Sequence, residues 1–108
     1  MNRITKLSLA GNLIGYAGSI HISRMTGITA LNLESNYIGD AGASCIAQMK
    51  QITDIYLSDN IIGDEAVSHL ARMKGVKNLN LHGNSIGEGG ASLIAQMKGI
   101  RTLNLDDN

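Results

Sequence analysis

Leu31 and Leu33 alternate with polar Asn32 and Glu34, which is the two-residue period of a short strand with one buried face. Asn36 closes that stretch. Ile38-Gly39-Asp40 then leads into Ala43, Ile46, Ala47 and Met49, whose spacing is close to the three and four residues of a one-sided helix. A strand, a turn at Asn and a short helix are therefore predicted inside a stretch of chain too small to bury its own apolar face.

The same order returns along the whole chain. ITKLSLAGNLIGYAGSIHISRMTG is followed by ITALNLESNYIGDAGASCIAQMKQ, ITDIYLSDNIIGDEAVSHLARMKG and VKNLNLHGNSIGEGGASLIAQMKG, then by the half-unit IRTLNLDDN. The units run 4–27, 28–51, 52–75, 76–99 and 100–108, within one expected domain spanning 1–108. Ile4, Ile28, Ile52, Val76 and Ile100 open them, Asn12, Asn36, Asn60, Asn84 and Asn108 mark the turns, and Met25, Met49, Met73 and Met97 share a column suited to core filling.

Units of this size gain a core only by stacking, strand beside parallel strand and helix beside helix. Helices are wider than the roughly 4.8 Å between strands, so the expected solenoid is curved, with strands on the concave face and helices on the convex one. Small residues at Gly18, Gly42, Ala66 and Gly90 would let neighbouring helices approach. Acidic residues gather near the helix starts (Asp40, Asp64, Glu65, Glu88) and basic ones near the ends (Arg24, Lys50, Arg72, Lys74, Lys98), the polarity a helix dipole favours.

Tyr56-Leu57-Ser58-Asp59-Asn60-Ile61-Ile62-Gly63 carries an LxLxxNxIG pattern that resembles the leucine-rich repeat, and the match extends over nearly the whole chain. The helical halves, GASCIA at 42–47 and GASLIA at 90–95, are similar to the ribonuclease-inhibitor-like end of that family and to the GALA-type repeats of bacterial effectors. The first unit departs from this with YAGSIHIS at 16–23, and no F-box or other effector module is present. The resemblance implies an α/β, right-handed leucine-rich-repeat solenoid whose Asn column forms a structural ladder, and a role in recognising a protein rather than in catalysis. It also brings in the regulation of a GTPase, as some ribonuclease-inhibitor-like relatives do, although no residue here selects it.

Composition and charge narrow the field. Fourteen Ile and twelve Leu against three Tyr, no Phe and no Trp describe a core of repeated aliphatic layers. Nine basic and nine acidic side chains leave no net field to attract nucleic acid or an anionic membrane. No apolar run approaches the roughly 18 residues of a membrane span, and the signal-like start around Arg3, Lys6, Leu7 and Leu9 is explained by the repeat register. A single cysteine, Cys45, cannot form an intramolecular disulfide, so a reducing cytoplasm is the expected setting.

Catalytic motifs are absent: there is no P-loop, GxSxG elbow, HExxH or CxxC, and no cofactor is expected. Gly87-Glu88-Gly89-Gly90 reads as the recurrent turn before a helix rather than a phosphate loop. His21, Cys45 and His69 share a column, yet helices on the order of 10 Å apart cannot bring them within the roughly 2 Å of a common zinc ion. The acidic tips at Asp59-Asn60 and Asp106-Asp107-Asn108 lack the six or more oxygens of a calcium site.

Outward positions of the strands remain for a partner. Lys6, Ala30, Asp54, Asn78 and Thr102 form one column; Ser8, Asn32, Tyr56, Asn80 and Asn104 the next; Ala10, Glu34, Ser58, His82 and Asp106 a third; and Gly11, Ser35, Asp59, Gly83 and Asp107 a fourth. Tyr56 is the only aromatic on this surface and stands at its centre, which makes it the expected anchor, with Glu34, His82, Asp54, Asn80, Asn32, Ser58 and Asp106 around it. Against this stands a merely solvated strand face. A rival role is self-assembly, because only Met1-Asn2-Arg3 precede the first unit and Asn108 follows a strand, so both ends expose the stack and invite end-to-end association. A segment cut from a longer repeat protein would look the same.

Overall fold

The computed structural model describes residues 4–108, so the short lead of Met1, Asn2 and Arg3 lies outside the described residues. Strands β1 (Lys6–Ser8), β2 (Ala30–Asn32), β3 (Asp54–Tyr56), β4 (Asn78–Asn80) and β5 (Thr102–Asn104) alternate with helices α1 (Gly15–Ser23), α2 (Gly39–Ile46), α3 (Asp64–Leu70) and α4 (Glu88–Ile94). The strands form one parallel sheet in chain order, in the register Leu7↔Leu31↔Ile55↔Leu79↔Leu103. Each helix packs on the next, α1 on α2, α2 on α3 and α3 on α4. This is the α/β solenoid of leucine-rich repeats.

Each strand spans three residues, and in β2, β3 and β4 only the middle side chain is buried. Leu31 and Ile55 are wholly buried while their strand neighbours are half-buried. Backbone pairing nonetheless continues past the strands, with Leu33 N–H donating to Tyr56 O at 2.9 Å and Ser35 N–H to Ser58 O at 3.0 Å. Ile28, Leu33, Ile38, Ile46, Ile52, Leu57, Ile62 and Leu70 complete an all-aliphatic interior between sheet and helices. Met49 and Met73 are buried in it from the turn after their helix, and Met25 and Met97 are partly buried against it.

Helix ends differ from the dipole pattern. Helices α2, α3 and α4 end at Ile46, Leu70 and Ile94 and are capped by Ala47, Ala71 and Ala95, before Lys50, Arg72, Lys74 and Lys98, and the last turns of α2 and α4 contain no basic residue. Lys50, Lys74 and Lys98 belong to the connection back to the next strand, whereas Arg24 is itself the cap residue of α1 and Arg72 directly follows the cap of α3, close enough to meet those helix ends. The acidic residues do more than meet a dipole. Asp40 Oδ1 accepts the N–H of Gly63 at 2.7 Å, and Asp64 Oδ1 that of Gly87 at 2.8 Å, so each carboxylate ties its helix start to the following unit.

Close helix packing rests on missing side chains. A Cβ on Gly42 would stand 2.7 Å from Ile38 Cγ2 and 2.9 Å from Ser19 Oγ of the preceding unit, and Ser19 is itself fully buried, its hydroxyl donating to Gly15 O. A Cβ on Gly90 would meet the Asp64 carboxylate. Gly42→Val should therefore cost about 1–3 kcal/mol through overpacking, read as a lower urea midpoint.

Candidate functional site

Behind the strand face, the Asn column bonds unit to unit. Asn60 Oδ1 accepts N–H from Asn36 at 2.9 Å and Ile38 at 3.1 Å, while its Nδ2 donates to Leu33 O at 2.8 Å and Ser58 O at 3.1 Å. Asn84 repeats this with Asn60 and Ile62 N–H and with Leu57 O, and Asn36 with Asn12 and Ile14 N–H and Leu9 O. Asn108 accepts from Ile86 N–H and donates to Leu81 O. Asn36 and Asn60 are fully buried, and no buried side-chain polar atom among the described residues lacks a partner. Asn12 differs: it is exposed, and its amide donates only within its own unit, to Leu9 O and Ala10 O.

Loss of a buried amide leaves several backbone groups unpaired, so Asn60→Ala should destabilise by about 2–4 kcal/mol, whereas Asn12→Ala should cost less than about 1 kcal/mol. Equilibrium denaturation of the two variants side by side checks the contrast.

In front of the ladder lies the strand face. Tyr56 is half-buried between two shallow depressions. One, about 220 Å³, is lined by Lys6, Leu7, Ser8, Ala30, Leu31 and Asn32; the other, about 160 Å³, by Leu79, Asn80, Thr102, Leu103 and Asn104. The Tyr56 hydroxyl has no hydrogen-bond partner among the described residues, so it is free to make one with a ligand.

Several neighbours are already engaged. Asn32 Oδ1 accepts the Glu34 N–H and Asn80 Oδ1 the His82 N–H, each at 3.0 Å, so these amides also shape the backbone. Asp54 accepts from Asn78 Nδ2, whose Oδ1 accepts from the Thr102 hydroxyl, giving a polar ladder across β3, β4 and β5. His82 Nε2 lies 3.6 Å from Asp107 Oδ2. Glu34 is half-buried and Asp106 exposed. Ser58 is the correction: at 6% exposure it is withdrawn from solvent, a short side chain between the longer Glu34 and His82 of adjoining units.

The fourth column obeys the backbone. Gly11, Ser35, Asp59, Gly83 and Asp107 all have φ between 56° and 74°, the left-handed region that Gly and Asp tolerate best. Residue choice there follows turn geometry. The His21, Cys45 and His69 column falls on α1, α2 and α3, and no group of three His, Cys, Asp or Glu among the described residues is placed to hold a metal. No described helix is long and apolar enough to cross a membrane.

Sequence reasoning passed over two features: the cross-unit bonds of Asp40 and Asp64, and an exposed apolar column at Leu13, Tyr37 and Ile61. The recurrence of Asp-after-Gly at 39–40 and 63–64 was the available signal for the first.

Known proteins agree with this architecture. A model of the family described as Leucine Rich repeat matches residues 26–47, the span from the turn before β2 to the end of α2. Among solved structures, "Leiomodin-1 Actin-Binding Site 2 (ABS2)" superposes with a TM-score of 0.78 over 94% of this chain and 69% of that one, at 18% sequence identity. That likeness is one of fold. No curated protein matches the chain.

Proposed function

We propose that this chain is a non-enzymatic protein-binding module, of the ribonuclease-inhibitor-like and GALA-type subclass, acting in the cytoplasm. One observation carries the reading: Tyr56, with a free hydroxyl, stands between two open depressions on a sheet held rigid from behind by buried amides. Open, shallow hollows with polar rims suit side chains of a macromolecule better than a small ligand, which pockets bury on most sides. Tyrosine is also among the residues that concentrate binding energy at interfaces. The leucine-rich-repeat architecture lends general support, and the solved neighbour is titled as a binding site for a protein, actin. Asp54, Asn80, Asn32, Glu34, His82 and Asp106 supply the surrounding hydrogen-bonding and acidic groups.

A photo-crosslinking amino acid placed at position 56 should capture a defined protein that the same group at exposed Gln96 does not. With that partner in hand, Tyr56→Ala should weaken binding by at least about tenfold, a cost of about 1.4 kcal/mol, and Glu34→Ala and His82→Ala by less. Equal capture at positions 56 and 96 would sink the strand-face reading.

The second reading, association through the ends of the stack, is favoured by Ile4 and Leu103, which are 42% and 44% exposed in the two outer units. Light scattering after size exclusion decides it. A mass that grows with concentration and returns to that of one chain in Leu103→Glu supports end-to-end assembly.

A further inference from the structure

The Asn ladder determines which residue of each turn faces outward. Asn60 Oδ1 clasps the N–H groups of residues 36 and 38, Asn84 Oδ1 those of 60 and 62, and Asn36 Oδ1 those of 12 and 14. The residue caught between each pair is Tyr37, Ile61 or Leu13, and these are 65%, 63% and 83% exposed. Tyr37 and Ile61 are also held at φ of 56° and 59°. A left-handed backbone is a marked outlier for a β-branched residue such as Ile, and positions this exposed carry no need for apolar side chains. In the isolated chain Tyr37 and Ile61 gain little burial and no backbone ease, and Leu13 gains little burial.

Charge singles out the same rim. Stretches 7–23, 31–47, 55–71, 79–95 and 103–108, which run from each strand through the turn and helix, contain no Lys or Arg and hold every acidic residue except Asp54. The chain is neutral as a whole and its charge is divided in space, with Arg24, Lys50, Arg72, Lys74, Lys77, Lys98 and Arg101 on the return connections and Lys6 in β1. At the rim, Asp59 and Glu65 flank Ile61 in sequence and make no ion pair among the described residues.

We infer that this turn rim is a second docking surface, and that its occupant is a basic amphipathic helix of a partner protein. Leu13, Tyr37 and Ile61 meet its apolar stripe, and Asp59 and Glu65 meet the Lys or Arg beside it. Side chains at i and i+4 of a helix recur at roughly 5–6 Å, comparable to the roughly 4.8 Å step from strand to strand, so one stripe can follow the ridge from unit to unit. The acidic rim repels nucleic acid and anionic lipid, which leaves a cationic protein segment as the complement.

The probe is a helical peptide with Leu along one face and Lys on the other, compared by calorimetry with a counterpart whose Leu residues are replaced by Ser. The Leu peptide should bind, and Ile61→Gly should weaken it by at least about tenfold while Gln96→Ala leaves it unchanged. Glycine adopts the required φ freely, so Ile61→Gly should melt at or above the parent temperature, and lost binding would not reflect lost folding. Tyr37→Ser should weaken the same peptide independently. Parental affinity in both rim variants would overturn the inference, as would equal binding of the Ser peptide, which would reduce the effect to charge. Light scattering that shows copies of the chain associating, and separating in Ile61→Gly, would make the occupant a second copy and overturn it as well.

Discussion

Carboxamide bonding between units is the constraint from which the rest of the molecule follows. Asparagine has two donors and two acceptor lone pairs on a short stem, and Asn60 uses all four: two N–H groups of the preceding unit on its oxygen, one carbonyl of that unit and one of its own on its nitrogen. Aspartate has no donor for the carbonyls, and Leu has neither donor nor acceptor. Because β2, β3 and β4 are only three residues long, ordinary strand pairing alone would leave the turn backbone buried and unsatisfied, a large cost. The ladder extends pairing into the turn and in doing so sets its dihedral angles.

That geometry separates positions chosen for the fold from positions free for something else. Immediately before the Asn, the left-handed residue is Gly, Ser or Asp in every unit, in agreement with backbone preference. Immediately after it, the outward residue is Leu13, Tyr37, Ile61 or Ser85, and there preference and identity part company in the second and third units. Conflict between local preference and the residue present is where a function separate from folding leaves its mark.

Most of the fold is legible in the sequence because period, not composition, encodes it. Leu31-Leu33 against Asn32 gives the strand, the recurrence of Asn36, Asn60 and Asn84 gives the turn, and stacking follows from units too small to bury themselves. The candidate site is less legible. Tyr56 stands out as the single aromatic of the strand face, but alternation alone places Ser58 outward, and only the neighbouring units bury it. Lys50 and Lys98 follow the helices so closely in sequence that they pass for last-turn residues, whereas the helices end at Ile46 and Ile94. Ile61 is hidden by its neighbour: Ile61-Ile62 reads as one apolar pair, although Ile62 is fully buried and Ile61 is 63% exposed.

Two surfaces with different logic therefore share one scaffold. On the strand face, Asp54, Asn78 and Thr102 bond to one another across strands and Asn32 and Asn80 hold backbone, so much of its polarity is already satisfied, and Tyr56 is the aromatic group with capacity left beside the carboxylates of Glu34 and Asp106. At the rim the apolar residues satisfy nothing within the chain, and the carboxylates are split: Asp40 and Asp64 each commit an oxygen to the next unit, while Asp59 and Glu65 do not. Interface energy concentrates in a few well-placed anchors surrounded by near-neutral contacts. A strand face with one such anchor between open depressions suits a shallow contact, and a three-residue apolar ridge edged with acid suits a linear one. Because both sets of residues are fixed by the same buried amides, weakening Asn60 or Asn84 loosens the two surfaces together, whereas a change at Tyr56 or Ile61 acts on one alone.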